Sequence, residues 1–352
     1  MDNTKKVFRS IKADAMLTAS PDLRRYLTGF ASSFGFVYTD AQESVFFTDP
    51  RYAEGARAAL KNTFIAVEVA QSEETVLDYI KSKKIKTLAV PMERVSLPQY
   101  AALKKRRFKL TDSMPALADG MCFKTEEELG YIAKACEIAE RAYTELLGQL
   151  KEGMTENETA GLLEYLMRKH GAEDRSFETI VAFGKNTSVP HHASGEDKLK
   201  KGSAVLIDFG CRYAGYCSDI TRTFLFGKGG EENDEFKTVY GRVLEAHLIA
   251  AENIRSGMTG MQADAFARDH LKKYELDKFF THSLGHGIGV NIHEDPRLSC
   301  RSRDILRNGM VFSIEPGVYF EGKFGIRIED SVTIENDRVR SFMKTEKGLT
   351  VL

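Results

Sequence analysis

The feature that most constrains the fold is a pair of predicted β-hairpins, each of which sets two acidic side chains opposite each other. In the first, a hairpin centred between Tyr213 and Ala214 places Asp208 directly opposite Asp219. Opposed side chains have Cβ atoms about 5 Å apart, and like charges at that distance destabilise a sheet. A folded chain with this arrangement must therefore neutralise the two carboxylates.

The second predicted hairpin repeats the arrangement. Glu315 and Glu329 are equidistant from Gly322, a residue that suits a turn. Shared protons could neutralise two such pairs, but divalent cations do so better when an imidazole is available. Arg327 lies two residues before Glu329, so on a strand it would share that face and orient the carboxylate of Glu329.

Between the two hairpins lies the segment THSLGHGIGVNIHEDP, Thr281–Pro296, which combines three histidines with three glycines. The histidines are His282, His286 and His293, and the glycines let a backbone approach closely whatever the histidines hold. With His286 as the imidazole, four carboxylates form a suitable ligand set for two metal ions bridged by carboxylates. The pattern predicts a two-metal hydrolase.

Ordinary explanations exist for each residue alone. An aspartate near a strand end usually serves a turn or a cap, but two opposed pairs beside a histidine cluster favour a site. His191 and His192, in SVPHHASGE, give a weaker signal, because a loop histidine after proline is usually solvated. His170, His247 and His270 occur in helical contexts, and we expect surface or core roles for them.

Length and composition bound the class of protein. A chain of 352 residues suits two domains, and a net charge of −1 argues against nucleic acid or an anionic membrane as partner. No apolar run approaches the roughly 20 residues of a membrane span, and the N-terminus lacks the apolar core of a secretory signal. Five scattered cysteines without CxxC spacing fit reduced thiols in a cytoplasm. The acidic run Glu231–Glu235 predicts a solvated loop.

The first domain, residues 1–115, is predicted to be a compact α/β domain that contains no histidine. A helix is predicted over Ser72–Lys83, with Ser72 as the N-cap. The aromatic residues on either side of Asp40–Glu43 predict a hairpin. The candidate strands are Ala15–Thr18, Gly35–Thr39, Ser44–Thr48, Phe64–Val69, Thr87–Val90 and Arg107–Leu110.

The second domain, residues 122–352, is predicted to be α+β, with helices covering a mainly antiparallel, curved sheet. Pro115 and Gly120 place a linker at Leu110–Phe123. Capping boxes open three helices, at Thr125–Glu128, Thr155–Glu158 and Thr259–Gln262. The candidate strands are Thr179–Ala182, Ala204–Cys211, Cys217–Phe226, Val311–Ile314 and Gly325–Val332.

Several segments of the sequence resemble the motifs of a known superfamily. The segments VLIDFG (Asp208), SDITRTF (Asp219), HSLGHGIG (His286), SIEPGVY (Glu315) and GIRIEDSV (Glu329) resemble, in order, the five metal-ligand motifs of the pita-bread metallopeptidases. RRYLTGF and VFFTDPRYAEGA are similar to the creatinase-type N-terminal domain of the proline-specific branch. The resemblance implies a pita-bread catalytic domain preceded by a smaller α/β domain.

Within that superfamily the chain resembles Xaa-Pro aminopeptidases and Xaa-Pro dipeptidases. The spacing HxxGH, from His282 to His286, is typical of the proline-specific branch. His293, in IHEDP, and His191, after SVP, match the downstream and upstream histidines of the family. Cys122 departs from the arginine of many relatives, at a position expected not to touch the site.

The resemblance also implies roles for the ligands. Asp208 would chelate one ion, His286 and Glu315 would bind the other, and Asp219 and Glu329 would bridge the two. A metal-bridging hydroxide would attack the carbonyl before proline, and Glu315 would accept its proton.

Three histidines would complete the implied site. His293 and His191 would stabilise the oxyanion and position the substrate, and His282 would contact the bound peptide. Implied partners are a dipeptide or longer peptide with proline in second position and a second copy of the chain. Mn²⁺ is the expected ion, with Co²⁺, Zn²⁺ and Fe²⁺ also compatible.

Other functions stay open at this point. The same fold supports methionine aminopeptidase-like enzymes, metal-free hydrolases like creatinase and non-catalytic binding proteins. The sequence also does not separate a dipeptidase from an aminopeptidase that accepts longer peptides.

Overall fold

A computed structural model describes residues 3–227 and 234–352. The chain divides into two compact units, Met1–Met121 and Cys122–Leu352. The domain limits of 1–115 and 122–352 stay a prediction. Most of the acidic run predicted as a loop lies outside the described residues, and its last two residues, Asp234 and Glu235, begin a helix.

The first unit is built on one six-stranded mixed sheet with the order β4-β3-β2-β1-β5-β6. Its helices are α1 Asn3–Phe8, α2 Pro21–Thr28, α3 Pro50–Leu60, α4 Glu73–Ser82, α5 Leu97–Lys105 and α6 Met114–Cys122, the last residue of which opens the second unit. Its strands are β1 Ala15–Thr18, β2 Phe36–Asp40, β3 Ser44–Thr48, β4 Ile65–Val69, β5 Thr87–Val90 and β6 Lys109–Asp112.

Local sequence signals account for most of this first unit. The predicted hairpin is confirmed as β2 and β3, which pair antiparallel with Phe36 opposite Phe47. Ser72 caps α4 by accepting a hydrogen bond from the backbone N–H of Thr75, as its helical pattern predicted. The last strand begins later than predicted, because Arg107 has a φ of 65° and interrupts extended backbone.

The boundary between the two units falls inside the predicted linker at Leu110–Phe123, but the segment is not irregular. Its first residues belong to β6, and most of the rest form α6. Pro115 lies in the first turn of that helix, where a missing N–H costs nothing. Gly120 fits where a Cβ atom would come within 3.0 Å of the Tyr26 hydroxyl, so here glycine permits close packing rather than breaking the helix.

The second unit consists of four helices and several small sheets within the described residues. The helices are α7 Glu126–Leu147, α8 Glu156–Lys169, α9 Asp234–Asn253 and α10 Gly260–Lys272. The strands are β7 Asp174–Arg175, β8 Ile180–Phe183, β9 Ser203–Phe209, β10 Cys211–Tyr213, β11 Tyr216–Cys217, β12 Ile220–Phe226, β13 Gly285–Gly287, β14 Glu294–Leu298, β15 Val311–Ile314, β16 Gly317–Phe320, β17 Phe324–Arg327, β18 Asp330–Glu335 and β19 Arg338–Ser341.

These strands pair antiparallel, as predicted for the second domain. The sheets have the orders β11-β10-β7, β12-β9-β8, β14-β13-β15-β18-β19 and β16-β17. The three predicted capping boxes are confirmed at the starts of α7, α8 and α10. One face of α9 and α10 packs into a large apolar core with β15 and β18. None of the helices in the described ranges has the length and hydrophobicity that a membrane span requires.

Three predicted strands are interrupted next to predicted ligands. Gly210 separates β9 from β10, Ser218 and Asp219 separate β11 from β12, and Ile328 and Glu329 separate β17 from β18. At the last interruption the backbone N–H of Glu329 donates to Thr221 O over 3.1 Å. The interruptions therefore turn ligand-bearing backbone from one small sheet to the next.

Candidate metal centre

The first hairpin brings its two aspartates to the same centre, but with a register different from the predicted one. Asp208 is opposite Thr221 rather than Asp219. The turn is centred between Ala214 and Gly215, which have φ values of 48° and 87°. Two left-handed residues form the tight turn that joins such strands, and alanine at the first position is a poor signal for it.

The second hairpin has the predicted register. Ile314 pairs with Asp330 on one side, and Gly317 pairs with Arg327 on the other. The same register continues through Glu315 and Glu329, which lie in the short gap between the two ladders. Their carboxyl groups are therefore opposed across the hairpin, as the distance from its central glycine predicted.

His286 approaches the acids from β13. Its Nε2 atom lies 3.6 Å from Asp219 Oδ2 and 3.4 Å from Glu315 Oε1. Its Nδ1 atom lies 3.1 Å from Gly287 O, so Nδ1 carries the proton and Nε2 presents its lone pair to the acids. Gly285 permits this approach, because a Cβ atom there would lie 1.9 Å from Ser313 O.

Donor atoms of three of these residues lie within 4.8 Å of one another, namely those of Asp219, His286 and Glu329. Two further oxygens, Asp208 Oδ1 and Glu329 Oε1, are buried and accept no hydrogen bond from the described residues. Carboxylate oxygens and a neutral imidazole nitrogen are ligands that divalent ions accept. The residues present therefore fit a metal centre.

Electrostatics lead to the same conclusion. Burial raises the pKa of Asp219 well above its usual value, and the nearby carboxylate of Glu329 raises it further. Burial likewise raises the pKa of Glu329, with Glu315 and Asp208 adding to the effect. The pKa of Glu315 is raised to about 7, chiefly by burial. Without cations, several acids at this centre prefer to keep their protons.

Arg327 contacts Asp208 directly and Glu329 through one intervening hydroxyl. Its Nη2 donates to Asp208 Oδ2 over 2.7 Å, and its Nε donates to Thr221 Oγ1 over 3.0 Å. Thr221 in turn donates to Glu329 Oε2 over 2.6 Å. Arg327 therefore reaches Glu329, the carboxylate it was predicted to orient, only through the threonine hydroxyl that lies between them.

His282 is the end of a hydrogen-bonded chain that starts at Arg327. Arg327 Nη1 donates to the Tyr319 hydroxyl over 2.6 Å, and that hydroxyl lies 2.9 Å from His282 Nε2. His282 Nδ1 lies 2.8 Å from Ser283 O, so the neutral ring accepts the tyrosine proton. Burial lowers the pKa of His282 to about 3, which keeps it neutral. Both ring nitrogens therefore have protein partners.

His293 lies against His286, with ring centroids 4.3 Å apart. The next residue, Glu294, is buried and forms a 3.2 Å ion pair with Lys124. Cys122 Sγ donates to Asp295 O over 3.1 Å. The departure at Cys122 was expected to lie away from the site, but its thiol contacts the backbone two residues beyond His293.

His191 and His192 differ in their surroundings. His192 Nε2 lies 2.7 Å from Glu156 Oε2, a carboxylate with no exposure. His191 is exposed. Its charge lowers the pKa of both His282 and Glu315, and the effects of burial and of Arg327 on these two pKa values are larger. His191 therefore lies close enough to the acidic centre to affect its charges, whereas His192 contacts the buried carboxylate of Glu156.

Sequence reasoning missed three residues of this region: Thr221, Tyr319 and Glu156. Thr221 and Tyr319 occur inside the quoted ligand segments, two and four residues after a predicted ligand, and strand alternation could have marked them. Glu156 is the first residue of α8, beside a capping threonine. Its position gives no signal of what the side chain contacts.

Comparisons with known proteins agree with this geometry. The model of metallopeptidase family M24 matches residues 130–336, and that of the creatinase/prolidase N-terminal domain matches residues 1–119. The chain belongs to metallopeptidase family M24. Membership implies divalent metal ions, and the creatinase-type first domain and pita-bread second domain that the sequence predicted are confirmed.

Relatives within the M24 family are similar over most of their length. The chain is 37% identical to an Xaa-Pro dipeptidase of Pyrococcus horikoshii, over 84% of this chain and 86% of the relative. The crystal structure of an X-Pro aminopeptidase from Thermotoga maritima has a TM-score of 0.91 at 35% identity and covers 98% of this chain and 99% of its own. An Xaa-Pro dipeptidase from Bacillus anthracis has a TM-score of 0.93 at 32% identity, covering 100% and 99%.

Proposed function

We propose that this M24 protein is a metal-dependent exopeptidase that hydrolyses the peptide bond between an N-terminal residue and proline. The observation that carries the proposal is the set of four acids and His286, in which two buried carboxylate oxygens accept no hydrogen bond from the described residues. The relatives named Xaa-Pro dipeptidase and X-Pro aminopeptidase support the substrate class. A proline-containing bond suits a dedicated enzyme, because its nitrogen carries no hydrogen.

The five proposed ligands would divide between two ions. Asp208 would chelate the first ion, and His286 and Glu315 would hold the second. Asp219 and Glu329 would bridge them. When bound, divalent ions supply a water of lowered pKa and positive charge that stabilises developing negative charge. Mn²⁺ suits this set of mostly carboxylate ligands, so we propose it as the physiological ion.

The protein side of the reaction is assigned to three groups. Glu315 accepts the proton of the attacking water, because burial has already raised the pKa of this carboxyl to about 7, near the pH of reaction. His293 and His191 hold the carbonyl oxygen as it becomes negative. The amide nitrogen must gain a proton before it leaves, and Glu315 can return the one it accepted.

Arg327 and His282 act around this centre. Arg327 holds Asp208 directly and Glu329 through Thr221, so it fixes the orientation of two ligands. His282 faces Tyr319 through Nε2, and we propose that the ring contributes a neutral surface to the substrate pocket. A neutral ring there suits the uncharged proline side chain of the substrate.

Further proposals concern the state of the protein. We propose that it acts in the cytoplasm as a homodimer. Size-exclusion chromatography with light scattering measures the mass in solution. A mass of one chain would refute the dimer.

The activity is tested with two substrates on metal-free protein. Ala-Pro and a longer Ala-Pro-Xaa peptide are incubated before and after addition of Mn²⁺, and released alanine is measured. Hydrolysis that depends on Mn²⁺ supports the proposal. Cleavage of Ala-Pro alone assigns a dipeptidase, and cleavage of the longer peptide assigns an aminopeptidase. No cleavage of either peptide by metal-loaded protein refutes the proposed substrate class.

A further inference from the structure

Glu156 is a buried carboxylate that the proposed mechanism does not use. It has no exposure, and it is the first residue of helix α8. Its Oε1 accepts from the backbone N–H of Phe183 over 2.8 Å and from Asn186 Nδ2 over 2.9 Å. Its Oε2 accepts from Gly195 N over 3.0 Å and lies 2.7 Å from His192 Nε2.

These four partners bracket one segment of the chain, residues 184–195, which we term the His191 loop. Phe183 precedes the loop, Gly195 ends it, and Asn186 and His192 lie within it. A single side chain thus ties both ends of the loop and two points between them. Hydrogen bonds to a charged acceptor are stronger than neutral ones, so the carboxylate is a strong anchor.

The opposite side of the loop is tied to the hairpin that carries Glu315 and Glu329. Gly325 N donates to Thr187 Oγ1 over 2.8 Å, and Gly322 N donates to Ser188 Oγ over 3.2 Å. Arg327 Nη1 donates to Pro190 O over 3.3 Å. The loop is therefore held between Glu156 on one side and the ligand hairpin on the other.

His191 itself has no such anchor. Its side chain is exposed and makes no hydrogen bond to the residues that the structure describes. Its position depends on the backbone of Pro190 before it and on His192 after it. Both neighbours are fixed, the first by Arg327 and the second by Glu156.

We infer that Glu156 is a positioning residue, which sets His191 at the metal centre by fixing the loop that carries it. The inference rests on the proposed function, in which His191 acts on the substrate carbonyl. A carboxylate suits the task because both of its oxygens accept, and each faces two donors. An amide would present N–H groups to two of those donors.

The test is a double-mutant cycle between Glu156 and His191, measured as the rate of Ala-Pro hydrolysis in Mn²⁺-loaded protein. Glu156→Gln is expected to lower kcat about ten- to hundredfold, because small misplacement of a catalytic group has effects of that size. KM and bound metal stay within about twofold, since no ligand has moved. In the His191→Ala background the same substitution is expected to change kcat less than about twofold.

Two further variants keep the test decisive. His192→Asn removes one donor and leaves the carboxylate, so it is expected to reproduce a smaller part of the loss even if Glu156→Gln folds poorly. Glu164→Gln makes the same acid-to-amide change on α8, at a partly exposed residue paired with Arg175, and is expected to leave kcat unchanged. Thermal unfolding of each variant identifies any loss that comes from misfolding.

The outcomes separate this inference from the proposed function. If Glu156→Gln and His192→Asn each lowered kcat by the same factor with His191 present and with His191 replaced by alanine, the inference would be overturned. Both substitutions would then act independently of that histidine. Full activity in folded Glu156→Gln would also overturn it. If wild-type protein hydrolysed no Xaa-Pro peptide, the proposed function itself would fail before the cycle began.

Discussion

Glu329 and Asp330 are adjacent and equally buried, but the protein treats the two carboxylates in opposite ways. Glu329 faces other acids, and burial together with those acids raises its pKa well above the usual value. Asp330 faces cations. Burial opposes its ionisation, but Arg222, His247 and Lys347 outweigh that effect, so its pKa lies below the usual value.

The partners of Asp330 are complete. Arg222 Nη2 donates to Oδ1 over 2.9 Å, and Lys347 Nζ and Ser341 Oγ lie 2.8 and 2.7 Å from Oδ2. Arg222 also donates to Glu329 O over 2.6 Å, so the guanidinium that pairs with Asp330 also fixes the backbone of Glu329. We name these residues around Asp330 the cationic side, and the four acids with His286 the acidic side.

The difference between the two sides indicates where the positive charge that compensates the four acids must come from. A chain that supplies an arginine and a lysine to one buried acid can compensate buried charge with its own side chains. On the acidic side, Arg327 is the only arginine or lysine of the described ranges that pairs with one of the four carboxylates, and two carboxylate oxygens there lack hydrogen bonds. Under the proposed function, divalent cations from solution complete that side.

The largest expected effect is on catalysis at the acidic side. Glu315→Gln keeps the size of the side chain but removes the proposed ligand and proton acceptor. We expect kcat for Ala-Pro to fall by about 10²–10⁴. Steady-state kinetics at saturating Mn²⁺ measure it, with Glu321→Gln on the adjacent hairpin turn as the control. Retained turnover in the Glu315 variant would remove this residue from the mechanism.

The next effect is on stability at the cationic side. Asp330→Asn leaves Arg222 and Lys347 buried beside a neutral group, and we expect a loss of about 3–5 kcal/mol in the free energy of unfolding. Chemical denaturation of metal-free protein measures the loss. Glu335→Gln, on the same strand but exposed, should change the value by less than about 0.5 kcal/mol. Equal small changes in both variants would show that the cationic pairing contributes little.

A pH effect arises from His247 on the cationic side. Burial lowers its pKa to about 4, below the ordinary value near 6.5. Because the unfolded chain binds this proton first, the stabilising contribution is complete above pH 6.5 and is lost as the pH falls towards 4. We expect His247→Gln to reduce the loss of unfolding free energy over that range by up to about 3 kcal/mol. Identical pH profiles for the two proteins would contradict the assignment.

The smallest expected effect is an increase, rather than a decrease, in the free energy of unfolding. Glu329→Gln in metal-free protein removes one of several mutually repelling carboxylates, so we expect the free energy of unfolding to rise by on the order of 1 kcal/mol at pH 8. With Mn²⁺ present, the same variant should be less stable than wild type, because it has lost a ligand. A loss of stability in both conditions would mean that Glu329 is compensated without metal.

The sequence predicted most of the elements and three residues whose side chains the structure brings together, Asp219, His286 and Glu329, but fewer of the contacts. Capping boxes such as Thr155–Glu158 are local, so they specify helix starts well. The register around Gly322 was predictable because glycine marked the turn. The register of the first hairpin was not, because Ala214 adopts a left-handed conformation that its residue type does not indicate.

Contacts between distant segments were the least predictable. The guanidinium of Arg327 reaches Asp208, 119 residues away, because the strand ends at Arg327 and the next residues turn to another sheet. The contact between Glu156 and the His191 loop depends on the packing of α8 against β8. Spacing along the chain contains no information on such partners.

The most direct test of the central claim is a calorimetric titration of metal-free protein with Mn²⁺. If the acidic side is completed by cations, wild type should bind two ions per chain, and the Asp219→Asn, Glu329→Gln double variant should lose at least one of them. Asp330→Asn, if folded, should still bind two. Equal binding by wild type and the double variant, or no binding by wild type, would contradict the claim that these carboxylates form a two-ion centre.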